Sequence, residues 1–306
     1  MCLLPEGLPV CYFPGIRFTL RQRRLIFTQK SSPPARWGLS PYREVNIMAD
    51  YSSLDFIRAE IDYPGPVALN TRSGAVKRVQ EWLTFHGHGL VIDGDFGPAT
   101  QRALSGFRQA AGLQDNGALN PDDWAQLAAP MVQVLKLPAP STTLPATLLK
   151  LARQHLDAHP VELGGENRGP WVRLYCNGRE GEAFPWCAGF VSFVVMQACA
   201  VQEIPLPLAL SLSCDGLAQS AKEQGRFIPG VHIDSGNTPW SDLAQVGLFL
   251  VKQGPDHWRH TGLAFDGVDH TFQTVEGSAD NQGTHNGYEV CTRTLSVQHC
   301  DFVVLA

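Results

Sequence analysis

At 306 residues, with 44% hydrophobic and 17% charged positions, the chain is long enough for two domains with sizeable cores. The 24 Lys and Arg against 29 Asp and Glu leave a net charge of −5, so no basic field recommends nucleic acid or an anionic membrane surface as a partner. No apolar run reaches the roughly 18 residues of a spanning helix, and the 8 cysteines form no C-x-x-C pair, which argues against a disulfide scaffold and a zinc ribbon alike.

Residues 1–47 are basic, rich in proline and without periodicity. Glu6 and the prolines at 5, 9 and 14 interrupt any secretory apolar core, and the Arg23-Arg24 pair is backed by too short an apolar stretch for a twin-arginine leader. Met48 opens ADYSSLDFIRAEIDY, which has the look of an ordinary protein start. Residues 1–47 are expected to be disordered or to precede the true start, and 48–69 to be a lead-in.

In SGAVKRVQEWLTFHG, Val76, Val79, Trp82 or Leu83, and Phe85 or His86 recur every three to four residues, an amphipathic helix that Gly87 ends. After VIDGDFG comes PATQRALSGFRQAAG, with Pro98 at the first helical position, Ala99, Ala103, Phe107 and Ala110 on one face, and Gly112 as the stop. Asn120 offers an N-cap and Asp123 the acid of a capping box before Trp124 and Leu127. These elements predict a compact three-helix module over 70–130.

VKRVQEWL, DGDFGPAT, ALSGFRQAAGL and GALNPDDWAQL together resemble the peptidoglycan-binding domain common in cell-wall hydrolases. The resemblance implies a wall-binding module with Asp93, Gly94, Phe96, Gly97 and Thr100 in its signature turn, and peptidoglycan as the partner. DGDFG lacks the later ligands of a calcium loop, and its glycines suit tight turns. His86 and His88 lack a third ligand for zinc and are read as solvated loop residues. No metal or cofactor is expected.

MVQVLKLPAPSTTLPAT, residues 131–147, turns to proline, serine and threonine and reads as a semi-extended linker. A second domain, 148–306, begins with the amphipathic TLLKLARQHL. In it, PWCAGFVSFVV places Cys187 at the first turn of an apolar helix after a break at 181–185. There the helix dipole and unpaired N–H groups favour thiolate and could stabilise an oxyanion. A lone cysteine in such a run is more often a small buried hydrophobe.

Downstream, RHTGLAFDGVDHTFQTVEG reads as a β-hairpin. If its loop centres on Val268, His260 and Glu276 face each other across the strands, and the carboxylate can fix the imidazole's tautomer while the other ring nitrogen meets the thiol. A one-residue slip would separate them. His257 falls on the opposite strand face and is read as surface. Cys176, Cys199, Cys214, Cys291 and Cys300 show no basic partner at readable spacing. Trp171 and Arg173 either line a groove for sugar or peptide or cover the core.

PWCAGFVSFVV, HTGLAF and TVEGSADNQGTHNGYEV resemble the CHAP and NlpC/P60 branch of papain-like amidohydrolases and peptidases over about 148–306. That resemblance implies an α+β fold, helices packed on an antiparallel sheet, with Cys187 as nucleophile, His260 as base and Glu276 as orienter. Trp186 stands where these families often have glutamine or aspartate, so no side-chain oxyanion donor is assigned, though Trp186 and Trp171 are candidates for substrate contact. Ser278 stands where many CHAP enzymes have asparagine, and Asn281 is off that spacing. The expectation is a peptidoglycan hydrolase, an N-acetylmuramoyl-L-alanine amidase or an endopeptidase. The alternatives are an inactive wall binder and a papain-like protease or acyltransferase with another substrate. A protein made in the cytoplasm without a leader yet acting on the wall fits phage lysis, or an effector with a secretion machine and an immunity protein.

Overall fold

The computed structural model describes residues 54–243, 245–280 and 287–306; the expectations for residues 1–47, Met48 and Asn281 lie outside them. Helix α1, Asp55–Ile61, occupies the lead-in and buries Ile57 and Glu60. Helix α2, Gly74–Phe85, is capped by the Ser73 hydroxyl, which accepts from Val76 N, and ends ahead of Gly87 at φ 88°. Helix α3, Pro98–Ala111, starts on its proline and stops at Gly112 in the left-handed region. Helix α4, Pro121–Leu127, has the reciprocal capping box that Asn120 and Asp123 announce.

The buried face of α3 is offset from the expected alanine stripe. Thr100, Leu104, Phe107 and Arg108 point inward, whereas Ala99 and Ala110 are exposed. The reason is polar: Arg108 donates to both Asp123 oxygens at 2.9 and 2.6 Å, to Asp115 at 2.7 Å and to the Ala118 carbonyl at 2.6 Å. An apolar template cannot see an arginine that is buried because its partners are buried with it.

The stretch expected to be a linker begins inside helix α5, Ala129–Leu135, which buries Met131, Val134 and Leu135. Helix α6, Leu144–Ala158, then starts from a Thr143 cap. Pro130 and Pro145 occupy first-turn positions, where proline starts a helix rather than breaking one.

The remaining elements are α7 (Pro170–Tyr175), α8 (Cys187–Gln202), α9 (Cys214–Glu223), β1 (Phe227–Ile228), α10 (Gly230–Asp234), a 3-10 turn (Trp240–Leu243), β2 (Val246–Gly254), β3 (His257–Val268), β4 (Thr271–Ala279), β5 (Glu289–Ser296) and β6 (Cys300–Val304). The strands form one antiparallel sheet in the order β1-β6-β2-β3-β4-β5. The architecture is α+β, as expected. Helix α8 packs between α6 and strands β3 and β4, so it is apolar all round and almost wholly buried. Among the described residues, no helix is long and apolar enough to cross a membrane.

The helical module and the sheet-bearing half share one continuous core. Trp171 of α7 packs edge-on against Trp82 of α2, with ring centroids 5.9 Å apart. Beside it, Arg173 donates to Glu60 at 2.7 Å, Glu81 at 2.6 Å and Glu180 at 2.6 Å. Arg78 also reaches Glu60, and Lys77 reaches Glu180. One guanidinium thus ties α1 and α2 to the segment that precedes α8.

Candidate active site

Cys187 is the first residue of α8 and is 3% exposed. Trp186, its N-cap, donates from Nε1 to Glu162 at 2.8 Å and stacks on Tyr175, with rings 5.5 Å apart and 8° from parallel. Trp186 and Trp171 are both fully buried. Neither ring is exposed, so Trp171 follows the core-covering alternative and Trp186 offers no open face for the substrate contact suggested for it. Trp186 fixes the start of α8, and Trp171 joins the two halves of the core.

His260 on β3 and Glu276 on β4 meet, with Nε2 to Oε2 at 2.8 Å, but not through the expected register. Pairing runs Leu263 with Val275, Ala264 with Thr274 and Phe265 with Gln273, followed by an irregularity before Val268. Asp266 and Asp269 adopt positive φ at 47° and 53°, so the turn is not symmetric about Val268. Continued along the strands, this register sets Glu276 beside Gly262, two residues from His260. An even offset keeps a side chain on its own face of the sheet, so the pair survives as diagonal neighbours.

Gly262 makes the diagonal possible. A Cβ there would lie 2.9 Å from Glu276 Cγ and 2.6 Å from Phe249 Cε1. With no side chain in the way, the carboxylate leans across the strand to the imidazole.

Arg293 of β5 donates from Nε to both Glu276 oxygens at 3.1 Å and also from Nη2. The Thr274 hydroxyl donates to Oε1. Glu276 pairs with Cys291 in the sheet, and Arg293 is two residues on, on the same face. Arg293 was not legible without the β4–β5 register, whereas Thr274, two residues before Glu276 on β4, shares its face by the strand period alone.

Burial alone would raise Glu276, but hydrogen bonds from His260 and Arg293 outweigh it and bring its pKa down to about 2. Burial alone would lower His260, but its hydrogen bonds to Cys187 and Glu276 raise it to about 9. The Cys187 thiol is held well below the ordinary range, first by a hydrogen bond with Cys214, then, against burial, by His260 and the Thr261 backbone N–H. All three shifts favour the charged forms, a thiolate beside an imidazolium beside a carboxylate.

Cys214 is not incidental, since its Sγ lies 3.8 Å from that of Cys187. Burial pushes Cys199 up to about 11 and Cys291 and Cys300 to about 12, leaving them as thiols. His257 is exposed, as expected, and hydrogen-bonds Asp215 at 2.6 Å. His155, unremarked in the sequence, is fully buried between the Tyr175 hydroxyl and Gln197, each at 2.8 Å. Its burial holds it down at about 4, hence neutral.

In the helical module, Asp93, Gly94 and Thr100 come together around Gln80. Its amide donates to Asp93 at 2.8 Å, the Asp95 carbonyl at 3.1 Å and Thr100 at 3.1 Å, while its oxygen accepts from the N–H groups of Asp93 and Gly94. Phe96 and Thr100 are buried, and Gly97 caps α3. These residues build the turn. His86 is not a solvated loop residue: it is half-buried, and its Nε2 lies 2.9 Å from the Leu127 carbonyl. His88 packs edge-on against Phe107. Among the described residues, no group of three His, Cys, Asp or Glu side chains could hold a metal ion.

Residues 72–127 match the family model PG_binding_1, a peptidoglycan binding domain. The match covers α2, α3 and α4, and supports peptidoglycan as a partner and the cell wall as the setting. No curated protein and no solved structure matches the chain.

Proposed function

We propose that the protein is a cysteine-dependent peptidoglycan hydrolase, an N-acetylmuramoyl-L-alanine amidase or a peptidoglycan endopeptidase, carried to its substrate by residues 72–127. The observation that carries this reading is the convergence of Cys187, at a helix N-terminus, with a His260 that is itself held by Glu276. A nucleophile, a base and an orienter in contact are what acyl transfer by a thiol requires. The likeness of 148–306 to the CHAP and NlpC/P60 branch supports the same chemistry, and a wall-binding module favours a wall amide over another acyl substrate.

In this reading the Cys187 thiolate attacks the carbonyl carbon of an amide, and the α8 N-terminus offers N–H groups to the oxyanion. Imidazolium His260 protonates the leaving amine as the C–N bond breaks, giving a thioester. Water, deprotonated by the now neutral His260, attacks the thioester; the C–S bond breaks, the acyl group leaves as a carboxylate, and the Cys187 thiolate and His260 imidazolium are restored. Glu276, kept anionic by Arg293, stabilises the imidazolium and holds its ring.

The test is turbidity loss of purified peptidoglycan with the parent protein and with Cys187→Ala. The parent clears the suspension and the variant does not. Two inert proteins that both sediment with the wall would point to the binding role alone.

A further inference from the structure

Two sulfurs occupy the site. Cys187 and Cys214 each begin a helix, α8 and α9, and their Sγ atoms lie 3.8 Å apart, both buried. That separation suits an S–H···S hydrogen bond and is too long for a disulfide.

The placement of Cys214 is held from several sides. The Ser213 hydroxyl caps α9 by accepting from Gly216 N. Asp215 accepts from Trp258 N at 2.7 Å and contacts His257 Nδ1 at 2.6 Å, fastening the first turn of α9 to β3 just before His260. The preceding loop is tied to α8, because the Ser192 hydroxyl donates to the Ser211 carbonyl at 2.8 Å. Gly216 accommodates this packing, since a Cβ there would meet Ser211 Oγ at 2.3 Å.

We propose that Cys214 is a positioning residue for the reaction, its thiol donating S–H to Cys187 Sγ so that the nucleophile rests as a thiolate aimed at His260. The inference rests on the hydrolase reading for its purpose, but not for its test. The charged groups around the pair decide which sulfur ionises. His260, backed by Glu276 and Arg293, faces Cys187, and the first turn of α8 carries no charge of its own. Asp215 stands beside Cys214, paired with His257, and disfavours a second anion there. In accord with this, Cys214 is held well above the ordinary thiol range, first by its bond to Cys187 and then by burial.

The experiment is the pH dependence of iodoacetamide alkylation at Cys187 in the full chain, read by peptide mass spectrometry. The parent is compared with Cys214→Ala, Cys214→Val and Cys214→Ser. Alanine and valine, which cannot donate, move the alkylation midpoint up by about one to two pH units. Serine keeps a donor and stays closer to the parent. An unchanged midpoint in both alanine and valine variants, or a serine variant that shifts as far as alanine, overturns the proposal. Valine preserves most of the packing, so a shift shared by alanine and valine and rescued by serine is not a loss of fold. Alkylation needs no wall substrate. A parent that leaves peptidoglycan intact while the midpoints shift would therefore sink the hydrolase reading and leave the role of Cys214 standing.

Discussion

Glu276 reaches His260 across Gly262: a Cβ at Gly262 would stand 2.9 Å from Glu276 Cγ, while the carboxylate lies 2.8 Å from the imidazole. The orienting contact thus depends on a missing side chain on the neighbouring residue. Gly262→Ala pushes Glu276 and Phe249 apart, at a cost of about 1–3 kcal/mol in stability. Because the carboxylate loses its line to the ring, kcat/KM falls by about 100-fold. Kinetics and thermal unfolding on the same preparation check this, and a variant with parental kcat/KM would show that the diagonal contact is dispensable.

The pH profile follows from the ion pair. His260 is raised to about 9 and Cys187 is held well below an ordinary thiol. In the proposed hydrolase, activity therefore stays level through neutral pH and declines as the imidazolium loses its proton near 9. Glu276→Gln removes the anion and leaves Arg293 facing the ring, so the alkaline limb moves to lower pH and the maximal rate drops. A limb that stays in place would place the control of His260 elsewhere.

His155 makes the fold sensitive to acid. In the unfolded chain it takes up a proton near 6.5, but in the folded chain burial delays this to about 4. Between those values the folded state binds fewer protons, so stability is lost as pH falls through the window, by about 3 kcal/mol in all. His155→Gln keeps polar partners for Tyr175 and Gln197 without a titrating ring. Urea unfolding at pH 7 and pH 4.5 then shows a smaller acid loss in the variant than in the parent.

Arg173, beside the Lys77–Glu180 pair, is an ionic joint between the helical module and the sheet-bearing half. Arg173→Met leaves Glu60, Glu81 and Glu180 without their shared cation. Breaking a buried pair in this way costs about 3–5 kcal/mol, visible as a lowered thermal midpoint. The loss shrinks at acidic pH, because burial already pushes the Glu81 carboxyl toward its protonated form.

Local signals carried the helices well: the Asn120 and Asp123 capping box, Pro98 at a helix start and Gly112 at its end are short-range chemistry, and all appear as read. What the chain order hid was set by long-range partners. Arg108 faces inward because Asp123 does, and Arg173 is buried because carboxylates from α1 and α2 meet it. The hairpin register was two residues from the simplest guess, yet His260 and Glu276 still met because the strand period is two. Arg293 and Cys214 had no such protection. Each enters the site from an element whose packing no spacing in the sequence reveals.

The most direct measurement is digestion of purified peptidoglycan in heavy-oxygen water, with mass spectrometry of the soluble fragments. If Cys187 is the nucleophile, the parent releases fragments carrying one heavy oxygen in a newly formed carboxylate, placed by water's attack on the Cys187 thioester, and Cys187→Ala releases none. Labelled fragments from Cys187→Ala, or none from the parent on any wall it binds, would contradict it.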